Sequence, residues 1–203
     1  LARLLESPAC TLTAVVVVDN ASSDGTATWL AGQDDPRLLV HRCEDNCGGA
    51  GGFATGMTLA RERFDPDWLV LMDDDARPRS GALAAFHARP KSGIMAVAGA
   101  VYFPDGRICE MNRPSRNPFW HLRITLNTLL QGRNGFHLPP SAYQTNALCE
   151  IDVTSFVGFF ISREGLDLAG LPDPGLFLFG DYGLYTLGLR RAGGRMVFDP
   201  SVR

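Results

Sequence analysis

The chain has 203 residues, of which 45% are hydrophobic and 20% are charged, which is enough to bury one sizeable core. Its formal net charge of -3 lacks the positive excess of general nucleic-acid binders, so we expect no nucleic-acid partner. The sequence shows no apolar run near twenty residues and no signal peptide, and none of its five cysteines has zinc-site spacing. These features favour a cytoplasmic protein with free thiols.

The predicted elements of the first half alternate between strands and helices. In chain order they are a strand at 13–18, a helix at 27–31, a strand at 38–41, a helix that follows the glycine-rich segment 46–53 and ends at 63, and a strand at 68–72. The run at 13–18 is dominated by β-branched residues, which indicates a strand buried on both faces. The alternation predicts an α/β fold with a mostly parallel central sheet flanked by helices.

The second half predicts a mixed sheet. Its elements are a helix at 81–88, a strand at 94–102 with a hairpin partner at 107–111, a strand at 156–161, a helix at 181–192 and a strand at 195–198. Between them, residues 112–148 are rich in proline, asparagine and arginine and contain one apolar island at 119–130. The island favours a core helix over a docking site for a lipid-linked acceptor or a membrane surface.

Three consecutive acids, Asp73, Asp74 and Asp75, follow the apolar strand at 68–72. Adjacent carboxylates repel one another, and a hard divalent cation gives a reason to gather them because it takes oxygen ligands and offsets their charge. Alternate residues of an extended segment point the same way, so we expect Asp73 and Asp75 to face one metal site and Asp74 to face elsewhere. A solvated acidic turn is the alternative.

Asp19 directly follows the first predicted strand. Ligands of open parallel sheets bind beyond the carboxyl ends of the strands, so we expect Asp19 on the same rim as the acid triplet. Taken alone, Asp19 fits a turn acid that caps the next helix. Two acid sites on one rim favour a ligand-binding role for both.

Three segments together resemble the family 2 glycosyltransferases, which have the GT-A fold. Residues 17–26, Val-Val-Asp-Asn-Ala-Ser-Ser-Asp-Gly-Thr, resemble the first signature of that family. Asn46 followed by residues 48–53 resembles the glycine-rich segment of its rhamnosyl- and galactofuranosyltransferase-like branch, and residues 68–75 resemble the branch's DxD-type metal motif. The order and spacing of the three segments match over nearly the whole chain.

The resemblance implies one GT-A domain over residues 1–203. Residues 1–111 would form the nucleotide-sugar-binding half, and residues 112–203 the acceptor-side half. By the same resemblance, we expect the given sequence to lack the first strand of the family, which normally precedes the first helix, and its C-terminal parts.

The resemblance also implies a site for a nucleoside-diphosphate sugar donor. Asp73 and Asp75 would hold a divalent metal, Mn²⁺ or Mg²⁺, on the donor diphosphate, Asp74 would lie near the ribose, and Asp19 would contact the base or ribose. The other implied donor-binding residues are Asn20, Asn46, Gly48, Gly49, Gly51 and Gly52. A glycine backbone can approach a sugar or phosphate closely, since no side chain intervenes.

The similarity extends, with one departure, to residues 177–185. Family members carry adjacent acids before a late helix, and one of them is the general base for the acceptor hydroxyl. Here only Asp181 is acidic, and Tyr182 stands where a second acid is usual. Asp181 is therefore the candidate base, with helix capping as its alternative and Asp173 as the next candidate. No histidine follows Asp181, although related enzymes often use one as a metal ligand.

The activity implied by the resemblance is metal-dependent, inverting transfer of a sugar to a hydroxyl of a glycan or a lipid-linked acceptor. Peripheral contact with the inner face of the membrane is compatible with such an acceptor. A sugar nucleotidyltransferase is one alternative, because it can share this architecture, and a non-catalytic relative that binds nucleotide sugars is another, which Tyr182 favours. A dinucleotide site is disfavoured, since the GxGxxA match at 49–54 does not directly follow a strand.

Overall fold

The computed structural model describes residues 1–177 and 180–203. The helices of these residues are α1 Ala2–Leu5, α2 Thr26–Ala31, α3 Gly48–Phe64, α4 Ala82–Ala88, α5 Leu122–Gln131, α6 Arg163–Ala169 and α7 Asp181–Arg191. The strands are β1 Val15–Asp19, β2 Leu38–Arg42, β3 Trp68–Leu71, β4 Ala96–Gly99, β5 Cys149–Glu150, β6 Phe159–Ser162 and β7 Met196–Asp199.

The strands form a parallel pair and a mixed five-stranded sheet. β1 and β2 are parallel, with Asp19 opposite Arg42 at their carboxyl ends. The second sheet has the order β3-β6-β4-β7-β5, in which β4 and β7 are parallel and the other neighbours are antiparallel. β3 and β4 therefore run in the same direction on either side of β6. The α/β fold predicted from the sequence, with a parallel and a mixed part, is confirmed.

Alternate residues of the central strands divide the core into two layers. On one face of the sheet, Phe159 packs in a buried cluster with Met57 of α3 and Leu189 of α7. On the other face, the Phe160 ring stacks on Phe86 of α4 with 4.1 Å between ring centroids. Full burial of each such side chain contributes about 1.5–3 kcal/mol. Helices on both faces thus fix the strand ends that carry the predicted site.

β1 is less buried than the sequence predicted. Val15 and Asp19 are buried, but residues 16–18 are only half-buried. Within the described residues, β1 is hydrogen-bonded to β2 alone, and α3 packs against it. The prediction of burial on both faces is wrong because the pair is not enclosed by further strands.

The apolar island at 119–130 forms α5, but the prediction of a core helix is wrong. None of the residues of α5 is buried, and several of its leucines are largely exposed. α5 packs chiefly against the short helical turn at 132–135. No helix in the described part of the chain is both long enough and apolar enough to cross a membrane.

Three local features can be compared with the prediction. α3 begins at Gly48 and not after Phe53, so the glycines of the glycine-rich segment are part of the helix. The predicted hairpin is confirmed only at its turn, where Phe103 N–H donates to the Arg107 carbonyl at 2.8 Å and Tyr102 pairs with Ile108, whereas Glu110–Asn112 form a 3-10 helix. α6 was not predicted; the Ser162 hydroxyl begins it by accepting a hydrogen bond from Gly165 N–H at 3.0 Å.

Candidate active site

The acid triplet lies in a turn just beyond β3. The Asp73 carbonyl accepts a hydrogen bond from Ala76 N–H at 3.2 Å, so the alternation of an extended strand does not apply to these residues. Partial desolvation, followed by the carboxylates of Asp75, Asp74 and Asp181, raises the pKa of the Asp73 carboxyl.

Asp181 is brought to the acid triplet by the start of α7. It is the first residue of the helix, it is buried, and Gly180 occupies the N-cap position in a left-handed conformation. The capping role weighed for Asp181 thus belongs to the position of Gly180. The influence of Asp181 on the pKa of Asp73 shows that the two carboxylates share one electrostatic environment. The residue predicted as base therefore acts electrostatically on a residue predicted as metal ligand, and both roles stay predictions.

Asp19 is held at the end of β1 by two partners. One carboxylate oxygen accepts a hydrogen bond from Ser22 N–H at 2.9 Å, and the other pairs with the Arg42 guanidinium at 2.7 Å. Hydrogen bonding by Ser22 and the charge of Arg42 lower the pKa of the Asp19 carboxyl. Asp19 is thus a buried, ionised and fixed carboxylate. Sequence reasoning missed Arg42, although the parallel register with Asp19 follows once β1 and β2 are aligned.

Asn20 joins the end of β1 to the start of α3. Its amide donates to the Gly48 carbonyl at 2.8 Å, and its carbonyl oxygen accepts from Cys47 N–H at 3.0 Å. The Asn46 side chain accepts from Gly48 N–H at 2.9 Å. Both asparagines therefore shape the loop before α3, and their predicted contacts with a donor stay predictions.

Two glycines of α3, Gly48 and Gly51, are required by the protein's own packing. A Cβ on Gly48, whose φ is +69°, would lie 2.2 Å from the Phe177 carbonyl oxygen, and that same oxygen accepts a hydrogen bond from Ala50 N–H at 3.1 Å. A Cβ on Gly51 would lie 2.7 Å from the Cys47 Cβ. These contacts join the first turn of α3 to the segment before Asp181. Leu178 and Phe179, in the stretch that resembles the base motif, lie outside the described residues.

The acid triplet has the charge, but not a complete ligand set, for a metal ion. Within residues 1–177 and 180–203, no three His, Cys, Asp or Glu side chains are grouped so as to hold a metal ion. The salt bridges of this part of the chain leave Asp73, Asp74 and Asp75 unpaired. Mg²⁺ bound at a phosphate needs only one or two protein carboxylates, with waters and phosphate oxygens completing its shell. The residues present fit that kind of cation.

A second charged centre, which sequence reasoning missed, joins two segments of residues 112–203. Asp152 is fully buried and accepts hydrogen bonds from Arg116 at 3.1 Å, from Asn117 N–H at 2.8 Å and from Arg190 at 3.0 Å, and it pairs with His121 at 2.8 Å. Arg190 is on α7, so this carboxylate ties that helix to the loop before α5. An isolated aspartate between hydrophobic residues gave no sequence signal for this role.

A comparison with family models gives the chain its family. The model described as "Glycosyl transferase family 2" matches residues 1–154. The chain belongs to glycosyl transferase family 2. The glycosyltransferase signatures identified at Asp19, at the glycine-rich segment and at the acid triplet all lie within the matched residues.

Individual glycosyltransferases are similar over most of the chain. "Galactofuranosyltransferase GlfT1" of Mycolicibacterium smegmatis is 28% identical over 180 residues, which are 82% of this chain and 52% of that protein. The chain therefore spans about half the length of this relative.

Two solved structures show the same fold at low identity. One is GalNAc-T7, crystallised with UDP, GalNAc and Mn²⁺. The match covers 98% of this chain and 38% of the GalNAc-T7 chain, with a TM-score of 0.61 and 14% identity. The other is the mannosyltransferase PcManGT from Pyrobaculum calidifontis, in complex with GDP-Man and Mn²⁺. The match covers 93% of this chain and 46% of the PcManGT chain, with a TM-score of 0.55 and 22% identity. The GT-A fold predicted from the sequence is confirmed.

Proposed function

We propose that this chain carries the donor site and the base of a metal-dependent, inverting glycosyltransferase. The donor is a nucleoside-diphosphate sugar, and the acceptor is a hydroxyl of a glycan or a lipid-linked acceptor. The observation that supports the proposal is the electrostatic influence of the buried Asp181 carboxylate on Asp73, a member of an acid triplet that has no salt-bridge partner in the described residues. Membership of glycosyl transferase family 2 supports the same activity.

Asp73 and Asp75 would hold the divalent cation, Mn²⁺ or Mg²⁺. Bound there, the cation would stabilise the negative charge that develops on the departing nucleoside diphosphate. GalNAc-T7 was crystallised with UDP and Mn²⁺ and PcManGT with GDP-Man and Mn²⁺, which supports a divalent cation for this chain. Asp74 would lie near the ribose.

The nucleoside would bind beside the β1 carboxyl end. Asp19 is already ionised and fixed by Arg42 and Ser22, so it offers a carboxylate oxygen of defined position to the base or ribose. Asn20 and Asn46 hold the loop before α3 in place. A site fixed before the ligand arrives loses less conformational freedom on binding.

Asp181 would act as the general base. The acceptor oxygen forms a bond to the anomeric carbon as the bond from that carbon to the diphosphate oxygen breaks on the opposite face, which inverts the configuration. The hydroxyl proton passes to the Asp181 carboxylate, and the nucleoside diphosphate leaves with the bonding electron pair. A positioned base typically contributes a rate factor of about 10²–10⁴.

Tyr182 favours one other function, binding of nucleotide sugars without transfer. Its side chain is partly exposed, and its ring packs edge-on against Phe156 at 6.4 Å between centroids. It thus offers no carboxylate at the position where the family usually has a second acid. Sugar transfer that requires Asp181 would support the transferase, and binding of nucleotide sugars without transfer would support the binding-only function.

Turnover of nucleotide sugars tests the proposal directly. Purified chain is incubated with UDP-, GDP- and dTDP-linked sugars and a glycan acceptor panel, with Mn²⁺ or with EDTA, and the released nucleoside diphosphate and the glycoside are quantified. We expect release that requires metal and yields a product of inverted anomeric configuration. Nucleotide binding without release would support the binding-only function, and formation of nucleotide sugar from sugar phosphate and nucleoside triphosphate would indicate a nucleotidyltransferase.

A further inference from the structure

α5 presents its leucines to solvent instead of to the protein. Leu122, Leu126 and Leu129 follow the i, i+4, i+7 spacing of one helix face, and all three are exposed, as is Leu130 at 83%. The side of the helix towards the protein carries half-buried residues, two of them threonines. This orientation is the reverse of an ordinary surface helix, whose apolar face points to the core.

Two aromatic side chains extend this apolar face at the start of the helix. Phe119 is 92% exposed and Trp120 is 43% exposed. Together with Leu184 and Arg191 of α7 they line a cavity of about 450 Å³ open to the surface. Residues 119–130 with this cavity are here called the α5 surface. It combines aromatic and leucine side chains on one continuous segment.

The charge around the α5 surface is positive. From Met111 to Cys149 the sequence contains four arginines and no aspartate or glutamate. Arg123, on α5, and Arg133, just beyond it, are exposed, and neither has an acidic partner within 4.0 Å in residues 1–177 and 180–203. Their guanidinium groups are therefore available to anions from outside the chain.

The buried charge of Asp152 holds the α5 surface in place. His121 occupies the N-cap position of α5 and pairs with Asp152 at 2.8 Å, and Arg116 pairs with the same carboxylate. The Thr125 hydroxyl adds a hydrogen bond to the Pro118 carbonyl. The helix is thus fixed to the body at its N-terminal end while its leucines stay outside.

We propose that the α5 surface binds the face of an anionic phospholipid bilayer. Interfacial helices place leucine and aromatic side chains at the boundary between headgroups and acyl chains, and arginines beside them attract anionic headgroups. A second copy of this chain fits less well, because a two-fold interface would bring the unpaired arginines of both copies together. The proposal is independent of the transfer reaction.

Vesicle sedimentation tests this surface. The 203-residue chain is mixed with vesicles of phosphatidylcholine alone or with 30% phosphatidylglycerol, at 50 and 500 mM NaCl, and the bound fraction is measured. We expect binding to the anionic vesicles at low salt that weakens strongly at high salt, since screening acts on exposed charges. Equal binding to neutral vesicles, or no binding to anionic ones, would overturn the proposal.

Matched variants locate the binding to α5. Arg123→Gln with Arg133→Gln should weaken the partition coefficient roughly 25-fold, at about fivefold for each arginine. Leu126→Ser with Leu129→Ser should weaken it at least about tenfold, because both leucines lose contact with the acyl region. Leu168→Ser with Leu171→Ser, and Arg63→Gln with Arg107→Gln, change exposed residues outside this surface and should leave binding unchanged.

Two further measurements test whether misfolding or dimerisation explains a loss of vesicle binding. Circular dichroism melting should show the α5 variants folded as stably as the parent chain, since the substituted side chains are exposed. Sedimentation velocity should show the same monomer mass for parent and variants. Unchanged vesicle binding by the α5 variants would overturn the proposal, and so would a dimer that only the leucine variant dissociates, because the occupant would then be a second copy.

Discussion

Burial raises the pKa of the Asp73 carboxyl beyond the end of β3, and the carboxylate of Asp181, at the first residue of α7, adds to that rise after those of Asp75 and Asp74. The two residues are far apart in the sequence and belong to different sequence signatures. Together these acids concentrate negative charge, and none of them takes part in a salt bridge among the described residues. Such a concentration costs stability, so a ligand of positive charge is the simplest reason for it.

Because the folded protein disfavours the ionised Asp73 carboxylate, removing that charge should stabilise the protein by an amount that depends on pH. A carboxyl whose pKa is raised in the folded state costs no stability at pH values below the unfolded pKa, near 3.8, and costs most above the folded pKa. Asp73→Asn should therefore raise the Tm of the metal-free protein at pH 7, and the difference should shrink as the pH falls towards 4. Differential scanning calorimetry in EDTA at several pH values measures it.

The control for Asp73→Asn is Asp34→Asn, which neutralises an exposed acid outside the site and should leave Tm unchanged. Added Mn²⁺ with a nucleoside diphosphate should stabilise the parent chain but not Asp73→Asn. A lower Tm for Asp73→Asn at pH 7 would contradict the electrostatic account of the triplet.

Asp75→Asn tests the same triplet through binding. If Asp75 is a metal ligand, the variant should lose Mn²⁺-dependent binding of nucleoside diphosphate while keeping its circular dichroism spectrum, because Asp75 is exposed and supports no other contact in the described residues. Isothermal titration with UDP and GDP, with Mn²⁺ and with EDTA, measures the change. A dissociation constant equal to that of the parent chain under both conditions would remove Asp75 from the metal site.

Gly48 supports the site through packing, which Gly48→Ala should reveal. The new Cβ would meet the Phe177 carbonyl oxygen at 2.2 Å and would sit on a backbone with φ of +69°. We expect a loss of about 2–4 kcal/mol in the free energy of unfolding, from strain and overpacking. Gly49→Ala is the matched control, because its Cβ would come no closer than 4.0 Å to the same oxygen and should change stability little. Urea unfolding of both variants decides the comparison.

The sequence was sufficient for the fold class and for the places where strands end. Apolar runs that stop at polar residues located β1 and β3 and hence Asp19 and Asp73. The electrostatic interaction between Asp73 and Asp181 could not be read from local pattern, because it depends on how α7 packs on the sheet. The resemblance to a family assigned both residues to one active site, and that assignment stays a prediction.

The sequence misled where burial depends on neighbours. The leucines of α5 have the spacing of an amphipathic helix, but that spacing does not say whether the apolar face meets the core or the solvent. The glycines of α3 suggested an open loop for ligands, whereas Gly48 and Gly51 fill tight contacts within the protein. The role of Asp152 depends on donors from two separate segments, the loop before α5 and α7, which no spacing in the sequence connects.

Asp19→Ala separates a nucleoside contact from a phosphate contact. The proposed contact is to the base or ribose, so the variant should weaken binding of nucleoside and nucleoside diphosphate by similar factors. Arg42→Gln is the control for the ion pair, since it keeps the Asp19 carboxylate and removes only the partner at 2.7 Å. Titration calorimetry of both variants with uridine and UDP, and with guanosine and GDP, measures these changes. Selective loss of diphosphate binding in Asp19→Ala would contradict the assignment.

Asp181→Asn tests the chemistry. If Asp181 is the base, the variant should bind donor nearly as the parent does but transfer sugar on the order of a hundredfold more slowly, because the hydroxyl proton has lost its acceptor. Its stability should stay within about 1 kcal/mol, since Asn also suits the first turn of a helix and only the dipole interaction of the charge is lost. Single-turnover kinetics with saturating donor measure the rate, and Asp173→Asn is the control, because Asp173 only caps the turn at residues 174–176.

A normal rate in Asp181→Asn together with a slow rate in Asp173→Asn would move the base to Asp173. If the parent chain binds donor without transfer, recovery of activity in Tyr182→Asp would assign the defect to Tyr182.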